Sequence, residues 1–146
     1  MREEQLVTGA VALAGTAATA IFGAWDEPLK LLLLAMVIDY ITGLVSAAYR
    51  GDLSSAVGLR GLARKIGMVL LVAVANLADQ LLAAGAGEYL AIDAGAAPIR
   101  TAACFALAFN ELVSILENLG ETGVPIPEPL RRMVRSLKGG GEDGSA

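Results

Sequence analysis

Four apolar stretches, each about twenty residues long, fill most of this 146-residue chain: 6–25, 29–49, 66–84 and 99–119. At a rise of ~1.5 Å per residue, a helix of that length matches a hydrocarbon core ~30 Å thick. Hydrophobic residues make up 55% of the chain and charged ones 18%. Because the apolar residues come in long blocks, a membrane bundle accounts for them better than one large soluble core. The expected fold is all-α, with about four transmembrane helices and a short basic amphipathic helix at 129–138. One domain is expected over 1–138, with a flexible end at 139–146 (GGGEDGSA).

Each stretch carries its own pattern. The first is rich in Gly, Ala and Thr, with Gly9, Ala12, Thr16 and Ala20 at helical spacing, a stripe that lets another helix approach closely. A signal peptide is the alternative; acidic Glu3 and Glu4 and the long run before Trp25 favour retention. Asp26-Glu27-Pro28 predicts a tight turn, with Pro28 suited to a first helical turn. In the second stretch Asp39, Gly43, Ser46 and the following Arg50 share one face. Leu31, Leu34, Val37, Ile38, Ile41 and Val45 mostly occupy the remainder. The third presents Asn76, Asp79 and Gln80 together. The fourth presents Asn110, Glu111, Ser114, Glu117 and Asn118. Between the second and third lies a polar segment, 50–65, where Ser54 or Ser55 can cap a short helix and Gly58 and Gly61 allow close turns.

Basic residues concentrate in two places. The 50–65 segment holds Arg50, Arg60, Arg64 and Lys65; the tail holds Arg131, Arg132, Arg135 and Lys138 around Leu130, Met133, Val134 and Leu137. Arg60, Arg64, Lys65 and the four tail cations are expected at the membrane surface, and the tail helix suits anionic lipid. With four spans, the positive-inside rule places the termini and the basic segment in the cytoplasm of a bacterial membrane, with the Gly/Ala-rich 85–98 loop outside.

A carboxylate within a membrane span is costly unless neutral, paired or facing water. Asp39, Asp79 and Glu111 are therefore the chief chemical groups. They either line an aqueous lesion or oligomer interface, or are neutralised inside one packed bundle. The candidate lining or assembly set is Asp39, Gly43, Ser46, Asn76, Asp79, Asn110, Glu111 and Ser114. Asp79 and Arg100 could meet, as could Glu117 and Arg64 or Lys65, whereas Asp39 is expected to find no basic residue at its depth. The chain has no histidine and one cysteine, Cys104, in an apolar run where it reads as a packing residue. Cys/His zinc sites, disulfides and His-dependent catalysis are excluded. No cofactor, metal or nucleic-acid partner is expected. The acids lack the paired geometry of an aspartyl protease.

From Leu32 onward three motifs stand together: an Asp39-Tyr40-x-Thr42-Gly43 helix, a Ser-then-Gly58-x-x-Gly61 segment leading to Arg64-Lys65, and Ser114-Ile115-x-Glu117-Asn118 followed by Gly123-Val124-Pro125-x-Pro127. In these the sequence resembles a bacteriophage holin family whose relatives include toxin-secretion holins. The resemblance implies a phage-type protein that accumulates in the cytoplasmic membrane, forms homo-oligomers and opens lesions. These release endolysin, or toxin in relatives, without necessary direct contact and without bond chemistry. Alternatives from the residues alone are a small oligomeric ion channel or transporter subunit, and a membrane adaptor with a recruiting tail.

Overall fold

The computed structural model describes residues 2–90 and 96–139 and is all-helical over them. Five helices follow one another: α1 (Arg2–Phe22), α2 (Glu27–Tyr49), α3 (Ser55–Leu90), α4 (Pro98–Glu121) and α5 (Glu128–Gly139). The first four are long and apolar enough to cross a membrane, and α5 is the expected short basic helix. The Lys138 side chain and residues 140–146 of the expected flexible end lie outside the described residues, as do the Glu88 and Asp93 side chains.

Local chemistry sets the helix ends. Asp26 Oδ1 accepts from the Leu29 amide at 3.3 Å and Ser54 Oγ from the Val57 amide at 3.3 Å, capping α2 and α3. Helix α2 stops at Gly51, whose φ of 77° is open to glycine at little cost. The Asp52 amide then reaches Ala47 O at 2.9 Å while the Gly51 amide reaches Ala48 O at 3.1 Å. Gly123, at φ 84°, ends α4 in the same way.

One expectation fails here. The sequence predicts a polar link with a short helix over 50–65 and a loop from residue 85, but α3 is one 36-residue helix that runs from Ser55 through Leu90. Gly58 and Gly61 serve no turn. A Cβ on Gly61 would lie 3.3 Å from Tyr40 Cε2, and one on Gly58 3.5 Å from the Tyr40 hydroxyl. The two glycines let the Tyr40 ring lie close against α3.

The chain divides into two compact units. The first comprises Met1–Leu31 and Ile66–Ala106, the second Leu32–Lys65 and Leu107–Ala146. Leu29, Met68, Val72, Ala75 and Cys104 are buried in the first; Leu32, Met36, Ala47, Ala108 and Ile115 in the second. The exposed residues invert the pattern of a water-soluble protein. Leu31, Leu34, Val37, Ile41 and Val45 of α2 are all at least half exposed, as are Leu70, Leu71, Val74, Leu77 and Leu81 of α3. Asp39, Ser46, Lys65, Asn76, Asp79, Arg100 and Glu111 are buried. Apolar surface of this extent belongs against lipid or another helix, not water. Helix α1 is the extreme case, with no buried residue.

Candidate functional site

Two buried polar clusters occupy positions that a sequence stripe makes legible once the helices are known. On α3, Lys65, Met68, Val72, Asn76 and Asp79 recur at intervals of three and four and are all buried. On α4, Arg100, Cys104, Ala108, Glu111 and Ile115 do the same. Each stripe sets charged groups into an otherwise apolar face.

In the second unit the centre is Lys65. Its ammonium donates to Asp39 Oδ2 at 2.6 Å and also to Glu111 Oε2, so one cation from α3 serves a carboxylate from α2 and another from α4. Asn118 Nδ2 donates to Asp39 Oδ1 at 3.1 Å and to Thr42 Oγ1 at 3.2 Å. Thr42 in turn donates to Asp39 O at 3.1 Å. Towards the C-terminal end of α2, Arg50 Nη1 donates to Ser46 Oγ at 2.7 Å and to Glu121, and Ser46 donates to Glu121 as well. Buried ions such as Asp39, Lys65 and Glu111 persist only where a counter-charge meets them, whereas Arg50 and Glu121 keep access to solvent.

These contacts correct two expectations. Asp39 does have a basic residue at its depth, because α3 extends past Lys65 and presents it inward. Lys65, expected as an exposed cation at the membrane surface, is instead buried against Asp39 and Glu111. Arg60 and Arg64, on the same helix, are exposed, as are Arg131, Arg132 and Arg135 on α5. Arg135 donates to Glu128 at 2.8 Å, an exposed pair of small energetic weight.

In the first unit the centre is Arg100. Asp79 and Arg100 meet, but through the backbone: the Asp79 carboxylate accepts from the Ile99 amide at 2.9 Å and the Arg100 amide at 2.8 Å. It thereby caps α4 from α3, with its negative charge at the positive end of the helix dipole. The guanidinium is left for the turn between α1 and α2. It donates to Ala24 O at 3.1 Å, Phe22 O at 3.4 Å and the Asp26 carboxylate. Burial alone would raise the Asp26 pKa. Hydrogen bonds from Arg100 and the Leu29 amide, with the attraction of the guanidinium charge, outweigh it and hold the carboxyl below its ordinary value. Asn76 Nδ2 secures the end of α1 by donating to Ile21 O at 3.0 Å and Ala20 O at 3.3 Å. Gly23 makes this closeness possible. Its φ is 79°, and a Cβ there would lie 2.7 Å from Asn76 Oδ1 and 2.9 Å from Arg100 Nε.

The remaining candidates are placed differently. Gly43 and Ser114 line a groove of about 180 Å³ in the second unit, together with Asp39, Arg60, Arg64 and Lys65. Asn110 is exposed midway along α4, flanked by exposed Phe109 and Leu112, and its side chain makes no hydrogen bond among the described residues. Sequence reasoning missed Glu121, although Arg50, just beyond the α2 stripe that ends in Ser46, signals a carboxylate partner. It also missed the role of Tyr40, for which the Gly58-x-x-Gly61 pair is the signal. No three acidic or cysteine side chains gather as a metal site among the described residues.

The bacteriophage holin family matches residues 16–139. An uncharacterized protein of Halalkalibacterium halodurans is 38% identical over 136 residues, covering 93% of this chain and 96% of the relative. A 14.9 kDa protein in the nagH 3′ region of Clostridium perfringens is 40% identical over 123 residues, covering 84% of this chain and 86% of the relative. A Listeria monocytogenes protein is 38% identical over 114 residues, covering 78% and 74% respectively. No solved structure matches the chain. The family match spans the end of α1, α2, α3, α4 and α5, and so takes in both buried clusters: this chain belongs to the bacteriophage holin family.

Proposed function

We propose that residues 1–138 act as one membrane domain that assembles with further copies of itself in the bacterial cytoplasmic membrane. The assembly opens lesions through which an endolysin, or a toxin, leaves the cell. The observation that carries the assembly step is Asn110. An amide with no hydrogen-bond partner among the described residues, midway along an apolar helix, loses its hydrogen bonds when lipid surrounds it and gains them when another helix supplies an acceptor. Helix α1, with no buried residue and a Gly9-Ala12-Thr16-Ala20 stripe, adds a surface that a second helix can approach closely. Asp39, Ser46, Asn76, Asp79 and Glu111 then act chiefly as structural groups within each copy. Gly43, Asn110 and Ser114 remain candidates for the face that meets water or a neighbour. No bond chemistry is required of any residue.

Inducible expression with and without a co-expressed muralytic enzyme tests this reading. Abrupt lysis is expected only when both are present, and Asn110→Leu should delay it at equal membrane level. Leakage of ions without release of folded protein would instead indicate a selective channel. Cys104 is fully buried and unsuited to crosslinking, so Asn110→Cys is the better probe of assembly and should give species above the monomer.

The same reading places both termini and the α2–α3 link in the cytoplasm. Reporter fusions at Asp52 and after Lys138 should read cytoplasmic, and one at Gly87 external. An external C-terminus would remove the orientation.

A further inference from the structure

The groove of the second unit holds an imbalance that the fold does not resolve. Most cations of this chain have carboxylate partners: Lys30 meets Glu27, Arg50 meets Glu121, Lys65 meets Asp39 and Glu111, Arg100 meets Asp26, and Arg131 and Arg135 meet Glu128. Arg60 and Arg64 line the groove, are exposed, and have no such partner among the described residues. Spaced four apart on α3, they project from one helical face. The carboxylate that lines the groove, Asp39, is already engaged by Lys65 and Asn118.

We propose that this groove binds the phosphate of an anionic membrane lipid, held by the guanidinium groups of Arg60 and Arg64. Guanidinium is the side chain best matched to a phosphate, offering a planar fork to two oxygens. The cavity of about 180 Å³ exceeds what one water needs, and Leu44 and Val57 give it an apolar wall beside the polar floor. That combination suits a headgroup with the start of its glycerol and acyl chain better than a free ion. Position agrees. Arg60 lies roughly 7.5 Å along α3 from Lys65, towards the polar link at residues 50–54, where a long side chain reaches headgroups while its stem stays apolar. The inference does not depend on lesion formation.

The test uses the full chain in nanodiscs of equal parts phosphatidylglycerol and phosphatidylcholine, released in a native mass spectrometer to count retained lipids. Wild-type protein should retain phosphatidylglycerol in preference to phosphatidylcholine, and R60Q/R64Q should lower that retention about ten-fold. R131Q/R132Q removes the same charge from α5, whose exposed cations attract anionic lipid only in a general way, and should lower retention by a much smaller factor than R60Q/R64Q does. Leu44→Phe narrows the groove without altering charge and should also reduce retention, which keeps the test decisive if the double arginine variant fails to fold. Equal loss in both double variants would mean general attraction between charges and would overturn the site. Undiminished retention in R60Q/R64Q would do the same. Displacement of the lipid by inorganic phosphate at comparable concentration would assign the groove to free phosphate and overturn the lipid.

Discussion

Lys65→Met is expected to destabilise the folded protein by about 3–5 kcal/mol, read as a shift in its unfolding transition in mixed detergent micelles. Lys65 is the one cation shared by Asp39 and Glu111, and all three are buried. Methionine fills much of the same space but leaves two carboxylates facing each other without a counter-charge. Most of the loss is the cost of those orphaned charges, not the worth of the ion pairs. The triple variant K65M/D39N/E111Q should therefore recover much of the stability, since it removes the cause of the repulsion. Asp39→Asn alone should be milder. It keeps the Asn118 contact, and Lys65 still meets Glu111. A triple variant as unstable as K65M would show that Lys65 acts through packing and not through charge.

The lysine cluster also shows where the sequence stops being readable. The number of membrane-length helices follows from the four apolar runs, because a bilayer leaves an apolar twenty-residue segment little other choice. Their outward faces were readable too: the α2 residues assigned to the side away from Asp39 are the exposed ones. The 55–65 segment resisted because its cues conflict. Two glycines and three cations in eleven residues resemble a link, yet Ser54 caps it and it joins a 25-residue helical continuation. Helix propensity is a local property. Gly58 and Gly61 are matched to the Tyr40 ring that lies against them, eighteen residues from Gly58 in sequence. The stripe from Lys65 through Met68, Val72, Asn76 and Asp79 was present throughout. Periodicity gave the face, but only packing says which carboxylates meet the lysine. Asp79 is the converse case. Its approach to Arg100 was foreseen from charge, while the partner atoms are the Ile99 and Arg100 amides, because a helix N-terminus offers donors that no side-chain pairing scheme counts.

Arg100→Met should cost about 3 kcal/mol, because it strips the α1–α2 turn of the donor that closes it. The guanidinium serves Phe22 O, Ala24 O and both Asp26 oxygens, and at 2% exposure it has no water to replace them. Asp26 is about one-third exposed and can rehydrate, so the backbone carbonyls bear more of the loss than the ion pair does. Arg100→Lys should recover only part, since an ammonium cannot span the same fork of acceptors. Gly23→Ala attacks the same junction from the other side. It places a Cβ within 2.9 Å of Arg100 Nε in a left-handed conformation that by itself costs about 1–2 kcal/mol. Acid provides a separate readout. The folded-state pKa of Asp26 lies below its unfolded value, so its contribution is fully present above about pH 4 and is lost as pH falls through the lowered pKa. In Arg100→Met the hydrogen bond and charge that lower the pKa are gone. The wild-type advantage over that variant should thus shrink as the pH drops from 6 to about 3. A constant difference across that range would mean that Arg100 holds the turn through the carbonyls alone.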